Sequence, residues 1–569
     1  MTCKACLSVL LALLLGGCAL HADEPRFSAD PDVRGDFASY AMGALALEAK
    51  DPAAADYFLA AVDQDPTNTH VLMRAFSATL LEGRYADALG LARDLAATPE
   101  PSFVPQMLLV LQDMRRRRWD RANQRLEGIY GSGFDTLISP VLGAWIWAAQ
   151  DDQARAMARL DALARNPALR SIALTHRGFV LDYLDDHEAA EAAYRRAIES
   201  GRLDNFMPVA GLANLLLRTG RQDQAVMLLD EFLEVAPDNP FLLERREAAA
   251  KGRRLPLLLD RPVGASAYAF VRIASQFAQR QAVRPALIYA RLGSFLRRDY
   301  EEATLLTGNL LLESERHGSA IAAFQEIDPD GPSGDTARFL IAYTLQAAGQ
   351  SEAALEGLQS FVAETGDQAP ARAFVTLGDL HRQAEQFDQA IAAYSDALAR
   401  EDLGRQRWYV LFARAVCFEQ TGRWEPAEAD FLASIALDDD RAEVLNYLGY
   451  SWIDRGVRLD DGIEMIERAA ALAPNNGFII DSLGWAHYLQ ADYDRAVELL
   501  ERAILLQPDD PTINNHLGDA YWRVGRQREA RFQWDHALNA GADGDLKAAL
   551  QNKIRFGLGY AEAQPVPSQ

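Results

Sequence analysis

A few short runs of the sequence carry residue types that do chemistry in other proteins. The run HEAAE, His187 to Glu191, differs by one residue from a zinc-binding helix motif, and the residue it lacks is the second histidine ligand. Gly449-Tyr450-Ser451 is half of a nucleophile elbow, placed within a helical pattern. The run from Asp328 to Gly331 lacks the ordered oxygen ligands and the closing glutamate of a calcium loop. We therefore expect no catalytic residues, no metal site, no cofactor and no enzyme activity.

The four cysteines exclude an internal disulfide as the source of stability. Cys3 and Cys6 have the spacing of a redox or zinc pair, but they lie in a segment with the layout of a secretory signal, which is removed. Cys417 lies in the apolar run Val416-Cys417-Phe418, where we expect a small buried hydrophobic residue. Stability must then come from packing.

The amino terminus supplies the fourth cysteine. Residues 10–20 read LLALLLGGCAL, an apolar run too short to span a bilayer. This layout resembles the bacterial lipoprotein signal, with Leu15-Gly16-Gly17-Cys18 as its lipobox; the alternative is an ordinary cleaved signal. The resemblance implies a signal peptide at 1–17, a lipid on Cys18 and a lipidated leader at 18–35. In that family an aspartate after the cysteine favours the inner membrane, so Ala19 implies lipid anchoring in the outer membrane, facing the periplasm.

The charge balance limits the partners of the remaining chain. Of 569 residues, 57 are Lys or Arg and 81 are Asp or Glu, which gives a net charge of -24. Such a chain is repelled by nucleic acid and by bare anionic lipid. The basic run Arg115 to Arg118, followed by Trp119, opposes this background. We interpret it as a solvated turn, with contact to lipid headgroups or to an acidic protein as the alternative.

The carboxyl-terminal half shows which elements position these residues. Residues of the same type recur 34 positions apart: Leu483-Gly484 and Leu517-Gly518, Ala496 and Ala530, Ala503 and Ala537. This period, with apolar residues at helical spacing, is typical of the tetratricopeptide repeat, a pair of helices A and B. Glycine and alanine are expected where the two helices cross, and Trp534 is expected to fill the neighbouring gap. Pro508 should end one helix, and Asp510-Pro511 should cap and start the next.

The same frame extends upstream and predicts an all-α superhelical solenoid of roughly fourteen helix pairs. A basic, proline-containing stretch near residues 245–267 interrupts the period and is interpreted as a junction between two stacks or a loop packed on one of them. The predicted domains are an N-terminal stack at 36–250, a junction at 251–266 and a C-terminal stack at 267–544. A capping helix and flexible tail are predicted at 545–569.

The absence of a predicted active site directs attention to the surface of the repeats. In this repeat family helix A lines the concave face, so residues one turn apart on the last three A helices should face the groove. Aromatic, asparagine and carboxylate groups there suit a protein or an extended peptide. The candidate protein-binding residues are Asn446, Tyr450, Asp481, Trp485, Asn515, Asp519 and Trp522, with Arg523 at the edge. The alternative is that Trp485 and Trp522 only seal neighbouring repeats.

Three segments carry a more specific resemblance. NYLGYSWID, DSLGWAHYL and INNHLGDAYWRVGRQREARFQW, together with the lipobox, resemble bacterial outer-membrane tetratricopeptide-repeat lipoproteins. That family includes the lipoprotein binding partner of a carboxyl-terminal processing protease. The resemblance implies an adaptor that brings a periplasmic processing protease to its substrates, the peptidoglycan hydrolases of the cell wall. The alternative function is a scaffold for an envelope complex such as a polysaccharide exporter or a pilus.

Overall fold

The computed structural model describes residues 36–99, 101–129, 135–166, 169–200, 206–236 and 239–558. The predicted signal peptide, Cys18 and the leader up to residue 35 lie outside the described residues, as do the last residues of the predicted tail. The chain divides into two compact units. We call described residues 36–357 the N-terminal unit and described residues 358–558 the C-terminal unit.

The described residues form thirty α-helices and no strand. The helices of the N-terminal unit, the last of which crosses its boundary, are α1 (Asp36–Glu48), α2 (Ala54–Gln64), α3 (Thr69–Leu81), α4 (Tyr85–Ala96), α5 (Phe103–Arg115), α6 (Trp119–Glu127), α7 (Asp135–Ala148), α8 (Gln153–Ala164), α9 (Arg170–Tyr183), α10 (His187–Ser200), α11 (Met207–Arg218), α12 (Gln222–Val235), α13 (Pro240–Ala250), α14 (Pro262–Gln279), α15 (Val283–Leu296), α16 (Glu301–Glu313), α17 (His317–Gln325), α18 (Gly334–Ala347) and α19 (Ser351–Thr365). Those of the C-terminal unit are α20 (Ala371–Gln383), α21 (Phe387–Leu398), α22 (Arg407–Gln420), α23 (Trp424–Leu437), α24 (Ala442–Asp454), α25 (Leu459–Leu472), α26 (Gly477–Leu489), α27 (Tyr493–Leu506), α28 (Pro511–Arg523), α29 (Gln527–Asn539) and α30 (Gly544–Phe556).

These helices follow one another as fourteen A and B pairs. Six pairs run from α1 to α12 and eight run from α14 to α29, while α13 and α30 stand outside the pairs. The predicted all-α repeat solenoid is confirmed. Within the described part of the chain, no helix is both long enough and apolar enough to cross a bilayer.

Several of the pairs are held by a close approach between a glycine of helix A and a large ring of helix B. A Cβ atom built on Gly178 would lie 2.4 Å from the ring of Tyr194, and one built on Gly518 would lie 2.4 Å from the ring of Trp534. Both rings are fully buried. Any side chain at these glycines would push the helices apart, which is the physical reason for the glycine in the repeat.

The predicted helix boundaries in the last repeats are confirmed. Helix α27 ends at Leu506, two residues before Pro508, which has no backbone N–H to continue the ladder. The side chain of Asp510 then accepts hydrogen bonds from the backbone N–H groups of Thr512 and Ile513, both at 2.9 Å. Pro511 occupies the first turn of α28, where its missing N–H costs nothing.

The N-terminal unit fills its interior with its own later helices. Helix α14 packs against α7, and α15 packs against α3 and α5, so the chain returns to its first repeats. The hydroxyl of Tyr85 donates to the carbonyl oxygen of Arg291 at 3.0 Å, and Nε of Arg291 donates to the carbonyl oxygen of Leu81 at 2.7 Å. Glu82 then accepts from Arg316 at 3.0 Å and from Ser319 at 2.7 Å.

Only residues 251–261 of the stretch predicted to interrupt the period at 245–267 are non-helical, because residues 245–250 belong to α13 and residues 262–267 begin α14. This segment packs on α11, because the carbonyl oxygen of Pro256 accepts from Asn214 Nδ2 at 3.0 Å and from Arg218 Nη1 at 3.4 Å. This matches the alternative in which the segment is a loop packed on one stack. The predicted domain boundaries at 251–266 stay a prediction; the two compact units divide between Gly357 and Leu358.

Candidate protein-binding surface

The runs that resembled catalytic or metal-binding motifs are structural parts of the repeats. His187 is the first residue of α10, and its Nε2 lies 3.6 Å from the Asp185 carboxylate. Gly449, Tyr450 and Ser451 lie in the middle of α24. The described residues contain no group of three His, Cys, Asp or Glu side chains arranged to hold a metal ion.

Cys417 and the basic run also occupy the predicted environments. Cys417 is fully buried in α22, and this burial raises the pKa of its thiol to about 12. Arg115 to Arg118 are exposed around the turn between α5 and α6. Three neighbouring guanidinium groups, those of Arg118, Arg121 and Arg125, surround the buried carboxylate of Asp113. The turn is therefore solvated and also tied to the end of α5.

The seven candidate concave residues lie on the three A helices α24, α26 and α28. Five of them are buried, namely Asn446, Tyr450, Asp481, Asn515 and Asp519. The two tryptophans, Trp485 and Trp522, are partly exposed. The role of these residues in binding stays a prediction, but the contacts of each show which of them a partner could reach.

Asp481 and Trp485 contact the A helix of the next repeat. Both carboxylate oxygens of Asp481 lie 3.0 Å from Nδ1 of the buried His516. The Trp485 ring stacks on the His516 ring, with a centroid separation of 4.0 Å, and on the Tyr488 ring at 4.5 Å. Burial disfavours the imidazolium, but the Asp481 carboxylate favours it more strongly, so the pKa of His516 is raised. This contact agrees with the alternative stated above, in which Trp485 seals the boundary between neighbouring repeats.

Asn515 and Asp519 are covered by the last helix, α30. Lys553 of α30 is buried, and its Nζ donates to Asn515 Oδ1 at 2.8 Å and to the two Asp519 oxygens at 2.8 and 2.7 Å. Asp519 also accepts from Trp534 Nε1 at 2.9 Å. A partner cannot reach these two residues while α30 is in place.

Asn446 lies deeper still, at the level of the repeat core. Only 1% of its surface is exposed, and its Oδ1 atom has no hydrogen-bond partner among the described residues. Tyr450 is 6% exposed and packs in an apolar cluster with Ile453 and Ile480. Both residues were predicted to face the concave groove, but they present almost no surface to a partner.

The accessible part of this face is a strip that we call the open edge, formed by Trp485, Leu489 and Arg523. The partly exposed Trp522 packs instead toward helix B of its own pair, with its ring centroid 5.4 Å from that of Trp534 and with Arg531 over it. Leu489 is 51% exposed and lies one helical turn after Trp485 on α26. Arg523 is exposed at the end of α28 and donates through Nε to the Tyr488 hydroxyl at 3.1 Å. Helices α26 and α28 contact each other. Sequence reasoning missed Leu489, although its spacing of four residues from Trp485 was the available signal.

A second buried polar cluster, in α20 to α22, was also missed. Asp379 Oδ1 accepts from the hydroxyls of Tyr394 at 2.6 Å and Tyr409 at 2.7 Å, and Nε of the buried Arg382 donates to the Tyr394 hydroxyl at 3.2 Å. Burial raises the pKa of Asp379 against the opposing effect of these hydrogen bonds. The cluster ties two successive repeats together, and its residues come from three helices, which no single motif marks.

Comparisons with known proteins agree on the repeat class. Residues 172–200 and 375–442 match models described as the tetratricopeptide repeat, and residues 484–525 match one described as the TPR repeat. Over 133 residues the chain is 32% identical to a TPR repeat-containing protein of Pseudomonas aeruginosa. That alignment covers 20% of this chain and 22% of the relative, so the chain spans about a fifth of the length of this curated relative.

Solved structures of similar chains were also found. The hetero-tetramer Cut9-Hcn1 of the APC/C matches with 14% identity and a TM-score of 0.38, over 91% of this chain and 96% of that chain. Pseudomonas aeruginosa pilF matches with 20% identity and a TM-score of 0.29, over 35% of this chain and 90% of that chain.

Proposed function

We propose that this chain, whose helices form a tetratricopeptide-repeat-like solenoid, is a protein-binding adaptor anchored in the outer membrane through a lipid on Cys18. Its repeats would bind a periplasmic carboxyl-terminal processing protease together with that protease's substrates, the peptidoglycan hydrolases. The adaptor itself supplies no catalytic residue in this proposal, because the protease partner supplies the nucleophile. The coarser property, a scaffold for protein interactions, follows from the repeats themselves.

The observation that carries the proposal is the open edge of the last repeats. Tryptophan, tyrosine and arginine are the residue types most enriched where binding energy concentrates, and an exposed leucine beside them adds apolar contact area. The open edge presents Trp485, Leu489 and Arg523 on two A helices that contact each other. These helices belong to the segments whose sequence resembles the adaptor family.

The physical mechanism of the proposal is tethering. Two proteins held on one scaffold meet at an effective concentration in the millimolar range, so a protease with weak affinity for its substrate encounters it often. A lipid at Cys18 would keep both near the cell wall. No new chemistry is required, only simultaneous binding.

The first test captures partners and identifies them. The soluble chain, residues 19–569, would be immobilised and exposed to envelope proteins of its own cell, and the retained proteins would be identified by mass spectrometry. Enrichment of a processing protease together with wall hydrolases is expected. Retention of polysaccharide-export or pilus components without a protease would overturn the adaptor proposal in favour of the scaffold alternative.

A matched pair of variants tests the open edge itself. Leu489→Glu places a charge on the apolar strip, and we expect it to weaken protease binding about tenfold, or about 1.4 kcal/mol. Leu505→Glu is the control, because Leu505 is 83% exposed on the neighbouring B helix α27. Binding would be measured with the purified protease, and digestion of the hydrolase would be followed in the reconstituted mixture. Equal loss in both variants, or in neither, would show that the open edge is not the binding surface.

A further inference from the structure

The N-terminal unit contains a cleft that the proposed function does not use. It has a volume of about 460 Å³, within the range of ligand sites in proteins, and lies beside the segment at residues 251–261. Its apolar walls include Phe241 of α13, Leu258 and Leu259 of the segment, and Tyr268 of α14. The interruption of the repeat therefore creates a concave apolar surface that a regular pair of helices would not leave.

The rim of the cleft carries polar groups with spare bonding capacity. Arg272 of α14 is exposed at the rim and has no hydrogen-bond or ion-pair partner among the described residues. Glu302 accepts from the Tyr300 hydroxyl at 2.9 Å through one oxygen and keeps the other. Asn239 uses its Oδ1 to accept from the backbone N–H groups of Phe241 and Leu242, which leaves its amide N–H groups for another acceptor.

These groups together describe a peptide site. The apolar walls suit one large apolar side chain, the amide of Asn239 suits a backbone carbonyl, and the free oxygen of Glu302 suits a backbone N–H. Arg272 offers an unneutralised guanidinium to a carboxylate. A fatty acyl chain would fill the walls but has no backbone amide groups to pair with Asn239 and Glu302, whereas a peptide has both a carbonyl and an N–H for them, so the arrangement favours a peptide.

We propose that this cleft binds an extended peptide segment of a partner protein in which a large apolar side chain is followed by an acidic side chain. The apolar side chain enters between Phe241 and Leu258, and the acidic side chain pairs with Arg272 at the rim. The site lies in the N-terminal unit, so it is independent of the open edge of the C-terminal unit. A failure of the adaptor proposal would leave it untouched.

The test uses three fluorescently labelled hexapeptides and the soluble chain, residues 19–569, with binding followed by fluorescence anisotropy. The first is Gly-Ala-Phe-Glu-Ala-Gly with both ends blocked, the second has Gln in place of Glu, and the third is the second with a free terminal carboxylate. We expect the first to bind about tenfold more tightly than the second, since a charge-assisted hydrogen bond is roughly twice as strong as a neutral one and a tenfold change in affinity corresponds to only about 1.4 kcal/mol. Equal binding of the first two, or no binding, would overturn the proposal. Tightest binding of the third would overturn the assignment to an acidic side chain.

Three variants locate the binding. Arg272→Gln should remove the tenfold preference for the acidic peptide, whereas Arg284→Gln should keep it, because Arg284 is exposed on α15 away from the cleft. Gly264→Leu should abolish binding of all three peptides by filling the cleft. A Cβ atom at Gly264 would meet only Arg297 Nη1, at 3.8 Å, so this variant has room to fold. Unchanged binding by Gly264→Leu, with an unchanged circular dichroism spectrum, would place the peptide elsewhere.

Discussion

The two units cover the inner sides of their A helices with opposite chemistry. In the N-terminal unit, α14 and α15 do so mostly with apolar and aromatic side chains, beside the buried Arg291 that donates to the Leu81 carbonyl oxygen. There His176 is held as a neutral ring between Trp145, whose Nε1 lies 3.3 Å from His176 Nδ1, and Tyr268. In the C-terminal unit, charged groups do so: Asp481 pairs with His516, and Asp519 pairs with Lys553 of α30. The same repeat architecture can therefore be packed on its inner side by mainly apolar contacts or by buried ion pairs.

The difference has a consequence for stability. An apolar contact depends on shape and is insensitive to the charge of its neighbours, whereas a buried charge is stable only while its partner is present. We expect the contacts of α14 and α15 in the N-terminal unit to be sensitive mainly to changes of volume, and the contact of α30 with α28 in the C-terminal unit to be sensitive also to loss of a charge. The three predictions below separate these two responses.

The largest effect is expected from Lys553→Met, which leaves the buried Asp519 carboxylate without its cation. Breaking a buried ion pair from one side typically costs about 3–5 kcal/mol. Hydrogen exchange followed by mass spectrometry should show α30 and α28 losing protection while the N-terminal unit is unchanged. Lys547→Met is the control, because Lys547 is exposed on the same helix. Adding Asp519→Asn to Lys553→Met should restore part of the protection; full protection in Lys553→Met alone would contradict the role of the pair.

A smaller effect is expected from adding one methyl group at the crossing glycines. Gly178→Ala in the N-terminal unit and Gly518→Ala in the C-terminal unit each place a Cβ 2.4 Å from a buried ring. Overpacking of this kind costs about 1–3 kcal/mol. Each variant should lower hydrogen-exchange protection in its own unit only.

Gly90→Ala is the matched control for these two variants, because a Cβ at Gly90 meets nothing within 4 Å in the middle of α4. There the substitution should stabilise the helix by about 0.5–1 kcal/mol. If Gly90→Ala destabilised the chain as much as Gly178→Ala, helix propensity rather than the close approach to Tyr194 would explain the loss.

The smallest effect is a pH dependence of opposite sign in the two units. Burial lowers the pKa of His176 to about 4, so only the unfolded chain binds this proton as the pH falls below about 6.5. The N-terminal unit should then lose about 1.4 kcal/mol between pH 8 and pH 5.5. The raised pKa of His516 has the opposite effect on the C-terminal unit. The stability that the protonated His516 contributes is fully present below about pH 6.5 and is lost as the pH rises through the raised pKa.

Hydrogen exchange at pH 5.5 and pH 8, corrected for the intrinsic exchange rate, would measure both trends in one sample. His176→Gln should remove the acid sensitivity of the N-terminal unit, and His516→Gln should remove the alkaline sensitivity of the C-terminal unit. The same direction of change in both units would contradict the assignment.

The repeat pattern predicted the elements well because it records local requirements. Gly518, Ala530 and Trp534 occupy their places since two helices can cross closely only at small residues, and Asp510 and Pro511 mark a helix start through their own backbone chemistry. The pattern also placed the candidate residues on the A helices. The pattern could not show that Lys553, 34 residues after Asp519, would cover these residues. A lysine on a helix is predicted to be exposed unless the helix that packs against it is known.

By itself, the sequence determined the all-α repeat solenoid, its fourteen pairs and the absence of a recognisable catalytic motif, since helical spacing, turns and caps are decided within some 34 residues. Only the tertiary structure decided which side chains a partner can reach. The return of α14 and α15 to the first repeats, the hydrogen bonds of Lys553 on α30 to α28 and the cleft beside Leu258 depend on contacts between residues far apart in the chain. Such contacts are selected by the fit of whole surfaces, which no local pattern encodes.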